Sequence, residues 1–120
     1  MTYAGLKSMI HAGVEADDPR VKAAVEWIEQ HYTLEENPGL EAAGLYYYYN
    51  VFAKTMDAME IDQFEDADGE THDWRTEIVA ELAERQQENG AWINSDNPEW
   101  LEGDPNLVTG YALMALAYCQ

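Results

Sequence analysis

Gly44-Leu-Tyr-Tyr-Tyr-Tyr-Asn-Val-Phe-Ala-Lys-Thr-Met-Asp-Ala-Met59 sets four adjacent tyrosines, Tyr46 to Tyr49, at the head of a run of apolar residues at helical spacing. Each residue of a helix turns about 100° from the last, so four in a row point to every side. A helix lying on a core needs rings on one stripe only. Residues from about Leu40 to Met59 therefore read as a helix surrounded by protein. Tyr48, Tyr49, Phe52, Met56 and Met59 share one face, while Tyr46 and Tyr47 meet adjacent helices or a central space. Their hydroxyls then need hydrogen-bond partners.

Four more helices are expected around it. The first, about Thr2 to Ala12, carries Leu6, Met9 and Ile10 on one side and stops at Gly13. Asp18 before Pro19 is an acidic cap with proline in the first helical position, and Val21, Ala24, Val25, Ile28 and Tyr32 follow as a stripe. Asn37-Pro38-Gly39 breaks the chain before the tyrosine helix. After it, Asp66-Ala-Asp-Gly69 is the turn of an expected short β-hairpin between helices three and four. Asp73 caps a fourth helix, Trp74 to about Glu88, with Ile78, Val79 and Leu82 inward. A loop with Trp92, Pro98 and Trp100 leads to Asp104-Pro105 and a last helix, Asn106 to Cys119, apolar almost all round.

Helices two and four align, Asp18-Pro-Arg20 with Asp73-Trp-Arg75, offset by 55 residues. Lys7-Ser8-Met9 and Lys54-Thr55-Met56 align helices one and three, and Leu116 falls at the matching place in helix five. The pattern is a repeated helix pair with insertions at its turns. Odd helices are apolar on most sides and even ones amphipathic and charged, as inner and outer layers require.

The composition bounds the function. With 24 acidic against 6 basic residues, net −18, the chain lacks the clustered Lys and Arg that nucleic acid or an anionic membrane surface demands. No apolar run reaches the roughly 18 residues of a membrane helix, and no signal peptide is visible, so a soluble protein is expected. Cys119 is the single cysteine, which excludes an intrachain disulfide.

Leu82-Ala-Glu-Arg-Gln86-Gln-Glu-Asn-Gly90-Ala-Trp92 resembles the glutamine–tryptophan repeat of the prenyltransferase/squalene-oxidase repeat family, which includes squalene-hopene cyclases and protein prenyltransferases. Gln86, Gly90 and Trp92 match the motif, in which the glutamine bonds the start of a neighbouring outer helix and the tryptophan stacks on it. The Asp17-Asp-Pro-Arg-Val21 start and Leu107-Val-Thr-Gly-Tyr-Ala-Leu-Met-Ala-Leu116 are also similar to the family's helix openings. The resemblance implies an all-α fold, a partial α/α toroid of five helices, forming the terminal portion of a longer ring or a shortened relative. It also implies a cavity for a hydrophobic isoprenoid ligand, with Tyr48, Tyr49, Phe52 and Tyr111 as lining candidates.

Catalytic signatures are weak. Glu15-Ala-Asp-Asp18 approaches the cyclases' Asp-x-Asp-Asp acid, but it sits at a helix start, where carboxylates cap. His11, His31, His72 and Cys119 show no zinc-ligand spacing, and Asp66-Ala-Asp-Gly-Glu70 lacks the later ligands of a calcium loop and reads as a solvated turn. No metal or cofactor is expected. Two function classes stay open: part of an isoprenoid-handling toroid whose acid or metal site lies elsewhere, or a non-catalytic toroid scaffold for proteins or peptides. An open arc leaves apolar edges at Leu6, Met9 and Ile10 and at Leu113, Leu116 and Tyr118, so a homo-oligomer, most simply a symmetric dimer, is expected.

Overall fold

Asp18, Asp73 and Asp104 stand in extended backbone and accept N–H bonds from Arg20 at 2.8 Å, Thr76 at 3.3 Å and Asn106 at 2.9 Å. They open α2 (Pro19–His31), α4 (Trp74–Arg85) and α5 (Pro105–Ala117). The Arg20 side chain also pairs with Asp18 and, with the backbone bond, holds its carboxyl down at about 2. Asp18 is thus occupied as a cap. The computed structural model describes residues 2–120, and its other helices are α1 (Thr2–His11) and α3 (Leu45–Ala58). Between α3 and α4, β1 (Phe64–Glu65) pairs antiparallel with β2 (Thr71–His72), Phe64 opposite His72.

The chain forms a mostly helical compact domain of five helices with this one short hairpin among the described residues. α3 packs against both α1 and α5, with α2 on α1 and α4 on α5. The tyrosine run behaves accordingly: Tyr46, Tyr48 and Tyr49 are buried and Tyr47 alone is exposed. The Tyr48 hydroxyl donates to the Thr33 carbonyl at 2.7 Å, and the Tyr49 hydroxyl donates to that of Leu34. Both rings therefore fasten α3 to the segment that follows α2. Burial raises the Tyr48 and Tyr49 hydroxyls well above the usual tyrosine range, so both stay protonated donors.

Three expectations need correction, the first being Leu6, which was expected at an open apolar edge and is fully buried. The tyrosine helix starts at Leu45 rather than Leu40, because Glu41 (φ 53°) and Gly44 (φ 64°) adopt left-handed backbone. Asn37 stabilises that detour: its N–H donates to the Glu41 carbonyl at 2.7 Å and its side-chain amide to the Ala43 carbonyl at 2.9 Å. Val79, expected inward, is exposed. Trp74, Ile78 and Leu82 already complete the buried stripe at i, i+4 and i+8, which leaves Val79 on the next face.

The hairpin is fastened through His72. Its Nε2 lies 2.7 Å from Asp66 Oδ2 and its Nδ1 3.0 Å from Glu77 Oε1 on α4. Tyr32 donates to the same Glu77 oxygen at 3.2 Å, and its ring packs on His72, Phe64 and Phe52. Burial opposes the charged imidazole, but hydrogen bonds to Asp66 and Glu77 and their negative charges outweigh it and raise the His72 pKa. The bond from His72, with the Glu70 and Asp68 backbone N–H groups, lowers that of Asp66.

The signs fix a window. A raised histidine contributes stability that is complete below its unfolded value, about 6.5, and is lost as pH rises through the folded value. A lowered aspartate contributes stability that is complete above about 3.9 and is lost as pH falls through the folded value. The urea midpoint of the native chain minus that of His72→Gln is expected to be largest between about pH 4 and pH 6.5 and to shrink above it. A constant difference from about pH 5 to about pH 9 would show that His72 acts by packing alone.

Candidate functional site

The residue before α3, Gly44, has no side chain to cap the helix, so its first N–H groups need an acceptor from elsewhere. Glu102 supplies it from the other end of the chain. Its Oε1 accepts from the Tyr46 N–H at 3.1 Å and its Oε2 from the Tyr47 N–H at 2.9 Å. Asn94 donates a third bond to Oε1 at 3.1 Å, and the carboxylate is 1% exposed. A negative charge at a helix N-terminus is also favoured by the helix dipole.

The loop before α5 is shaped to deliver this group. The Asn94 N–H donates to the Glu102 carbonyl at 3.0 Å, and its side-chain amide donates to the Ala42 carbonyl at 2.6 Å. Asn94 Oδ1 accepts from the Asn97 N–H at 3.1 Å. Trp100 (φ 56°) and Leu101 (φ 67°) are left-handed, a conformation that side chains with a Cβ rarely adopt and that the surrounding bonds must hold. The Trp100 ring lies over the start of α3, 2.8 Å from where a Cβ on Gly44 would stand. Glycine at 44 is thus required twice, by its backbone and by the ring above it.

Beside this junction lies a cavity of about 330 Å³. Tyr3 and Ala4 of α1, Tyr47, Tyr48 and Val51 of α3 and Tyr111 of α5 form its helical walls. Asn37, Pro38, Leu40 and Gly44 close one side, and Trp100 and Glu102 another. Tyr47 and Tyr111 meet edge to face at 5.8 Å, as do Tyr3 and Tyr48 at 5.4 Å. Burial pushes the Tyr3 hydroxyl up to about 12.

Of the four residues proposed from the sequence as lining, Tyr48 and Tyr111 stand in the wall, while Tyr49 and Phe52 are enclosed in the core. Tyr3, Trp100 and Glu102 join them without having been singled out, and so does Tyr47, which was expected to meet a neighbouring helix or a central space. For Glu102 the sequence offered no signal, since the opening of α3 at Gly44, which leaves its first N–H groups without a local cap, was itself not legible.

The three motif residues sit at the end of α4. Trp92 is buried, its indole N–H donating to the Leu82 carbonyl at 2.8 Å and its backbone N–H to Thr109 Oγ1 at 3.1 Å. It therefore ties α4 to α5. Gln86 donates to the Gly90 carbonyl at 2.9 Å, a bond within its own turn, where the resemblance implied one to a neighbouring outer helix. Gly90 turns the chain at φ 86°.

Of the ligand-type side chains elsewhere, His31, His72 and Cys119 have structural partners. His31 stacks on Trp27 at 4.4 Å, and Cys119 bonds the Ala115 carbonyl at 3.4 Å. Asp66, Glu70 and His72 come within 4.8 Å of one another. Asp66 Oδ1 accepts from Asp68 and Glu70 N–H groups and its Oδ2 pairs with His72, so this aspartate closes the hairpin turn.

Glu102→Ala strands two helical N–H groups and Asn94 together. We expect it to cost about 3 kcal/mol in urea denaturation, since hydrogen bonds to a buried charge contribute about 1.5–3 kcal/mol each and water replaces part of the loss. A cost under about 0.5 kcal/mol would mean that α3 starts without this cap. Compared with known proteins, the chain matches no family model, no curated protein and no solved structure, and the chemistry of the pocket rests on its own residues.

Proposed function

We propose that this chain is a ligand-binding helical domain, a portion of an isoprenoid-handling α/α toroid, and that its aromatic cavity receives a short hydrophobic group. The observation that carries the reading is the cavity wall, where Tyr3, Tyr47, Tyr48, Trp100 and Tyr111 gather from three helices and one loop. Support for the toroid comes from the packing of α3 between α1 and α5, with α2 and α4 each on a different one of them. That is the arrangement two layers would have.

The size of the cavity limits the occupant. At a water-sized share of about 30 Å³ per methylene-sized group, the space holds about ten such groups. A ten-carbon prenyl unit is of that size. The reading gives the chain itself no catalytic step. Glu102, the one carboxylate in the wall, has its oxygens occupied by three N–H donors. Any acid or metal site belongs to other parts of a larger ring.

Exposed Leu101, Trp100 and Leu113, at 75%, 60% and 55%, favour a second reading, a scaffold that covers these side chains with a protein partner, first of all another copy of itself. With 18 net negative charges repelling, such a dimer strengthens as salt screens them.

Geraniol, a neutral ten-carbon prenyl alcohol, is expected to bind saturably and to shift the NMR resonances of Tyr47, Tyr111 and Trp100 before any others. Binding that does not saturate, or shifts scattered over the molecule, would refute the pocket reading. In light scattering after size exclusion, the second reading expects a dimer at high salt. A monomer there at high protein concentration counts against it.

A further inference from the structure

The charge of the cavity wall separates ligands that its shape alone would accept equally. Among the described residues, Glu102 is the only carboxylate in the lining, and no Lys or Arg side chain joins it. The partial positive charge at the start of α3 offsets about half of one negative charge, so the wall keeps a net negative character. Around it stand five aromatic rings, whose faces are negative by their quadrupoles and attract cations within about 6 Å. The surface outside carries the remaining excess of acid, and a concave site focuses such a field.

We propose that the pocket selects an organic cation, an alkylated ammonium group carried on a short apolar stem, over neutral and anionic ligands of the same shape. This rests on the reading that the cavity is a ligand site, and it names the chemical class. A primary ammonium keeps its water tightly and pays heavily to enter an apolar space. An ammonium covered by methyl groups spreads its charge over an apolar surface, loses little hydration, and is still attracted by the aromatic rings and by the negative charge of Glu102 behind the wall. A neutral hydrocarbon gains only from burial. A phosphate or diphosphate would meet Glu102 with no lysine or arginine in the wall to balance it, so phosphorylated prenyl groups are turned away.

Choline and its neutral isostere 3,3-dimethylbutan-1-ol differ by one nitrogen for one carbon and separate these effects. Titrated into the full chain and followed by NMR, choline is expected to bind at least tenfold more tightly, with shifts at Tyr47, Trp100 and Tyr111. Trp100→Leu, which keeps apolar bulk at an exposed position and removes a ring, is expected to weaken choline several-fold more than the alcohol. Equal affinity of the two ligands overturns the cation preference and leaves the cavity a neutral apolar site. Binding of neither at millimolar concentration overturns the site reading as well. Equal losses for both ligands in Trp100→Leu would remove the aromatic attraction from the account.

Discussion

The carboxylate of Glu102 on the first turn of α3 is the contact on which the remaining architecture depends. Helix α3 contributes more of the core than any other element, and its start lies at a glycine that offers no side-chain cap. A helix end buried without acceptors would leave donors unpaired in the protein interior, at a cost comparable with the net stability of a small domain. The acceptor comes from residue 102 and is held by Asn94, which also bonds Ala42 just before the helix. One polar junction thus joins the middle of the chain to its C-terminal third, and the cavity lies against it.

A second junction sits at the other end of α3. Arg75 donates to Asp57 at 3.3 Å, to Asp62 at 2.6 Å and to the Tyr118 carbonyl at 3.0 Å, with its guanidinium 4.4 Å from the Trp74 ring centroid. Trp74 in turn donates to the Ile61 carbonyl at 2.6 Å. In a chain so poor in cations, one arginine joins the ends of α3 and α5 to the start of α4. Its planar fork can serve several acceptors at once, which a lysine cannot do in the same way. Most of the other acidic side chains lie at the surface, where their shared negative charge opposes association.

What could be read in advance follows the range of the interactions involved. The caps at Asp18, Asp73 and Asp104 and the hairpin turn at Asp66 are decided within four residues, and local sequence specified them. The turn at Leu40 to Gly44 was not legible, because nothing nearby forbids a helix there. Its left-handed Glu41 is held by Asn37, and its last carbonyls by Asn37 and Asn94. The same distance effect divides the cavity. Tyr48 and Tyr111 were named through the family resemblance and lie on helices, whereas Trp100 and Glu102 owe their places to a loop whose backbone is set by tertiary bonds. Tyr49 and Phe52 share a face with Tyr48, but which part of that face stays open depends on neighbours far along the chain. Composition set the expectation against nucleic acid, yet it did not single out the carboxylate that matters in the wall.

The span between Glu102 and the amides it covers, 55 residues to Tyr47, also bears on how the chain folds. Most of α3 can form as soon as its neighbours collapse on it, since helical bonds are local and fast. Its first turn has no local cap and must wait for a loop from the far end, a closure that carries a larger entropy cost. The N-terminal turn of the central helix is therefore completed together with residues 92–104, late in folding. In the native state the amides of Tyr46 and Tyr47 are released to solvent when that loop lifts, so their exchange follows the loop's opening and not the fraying of the helix.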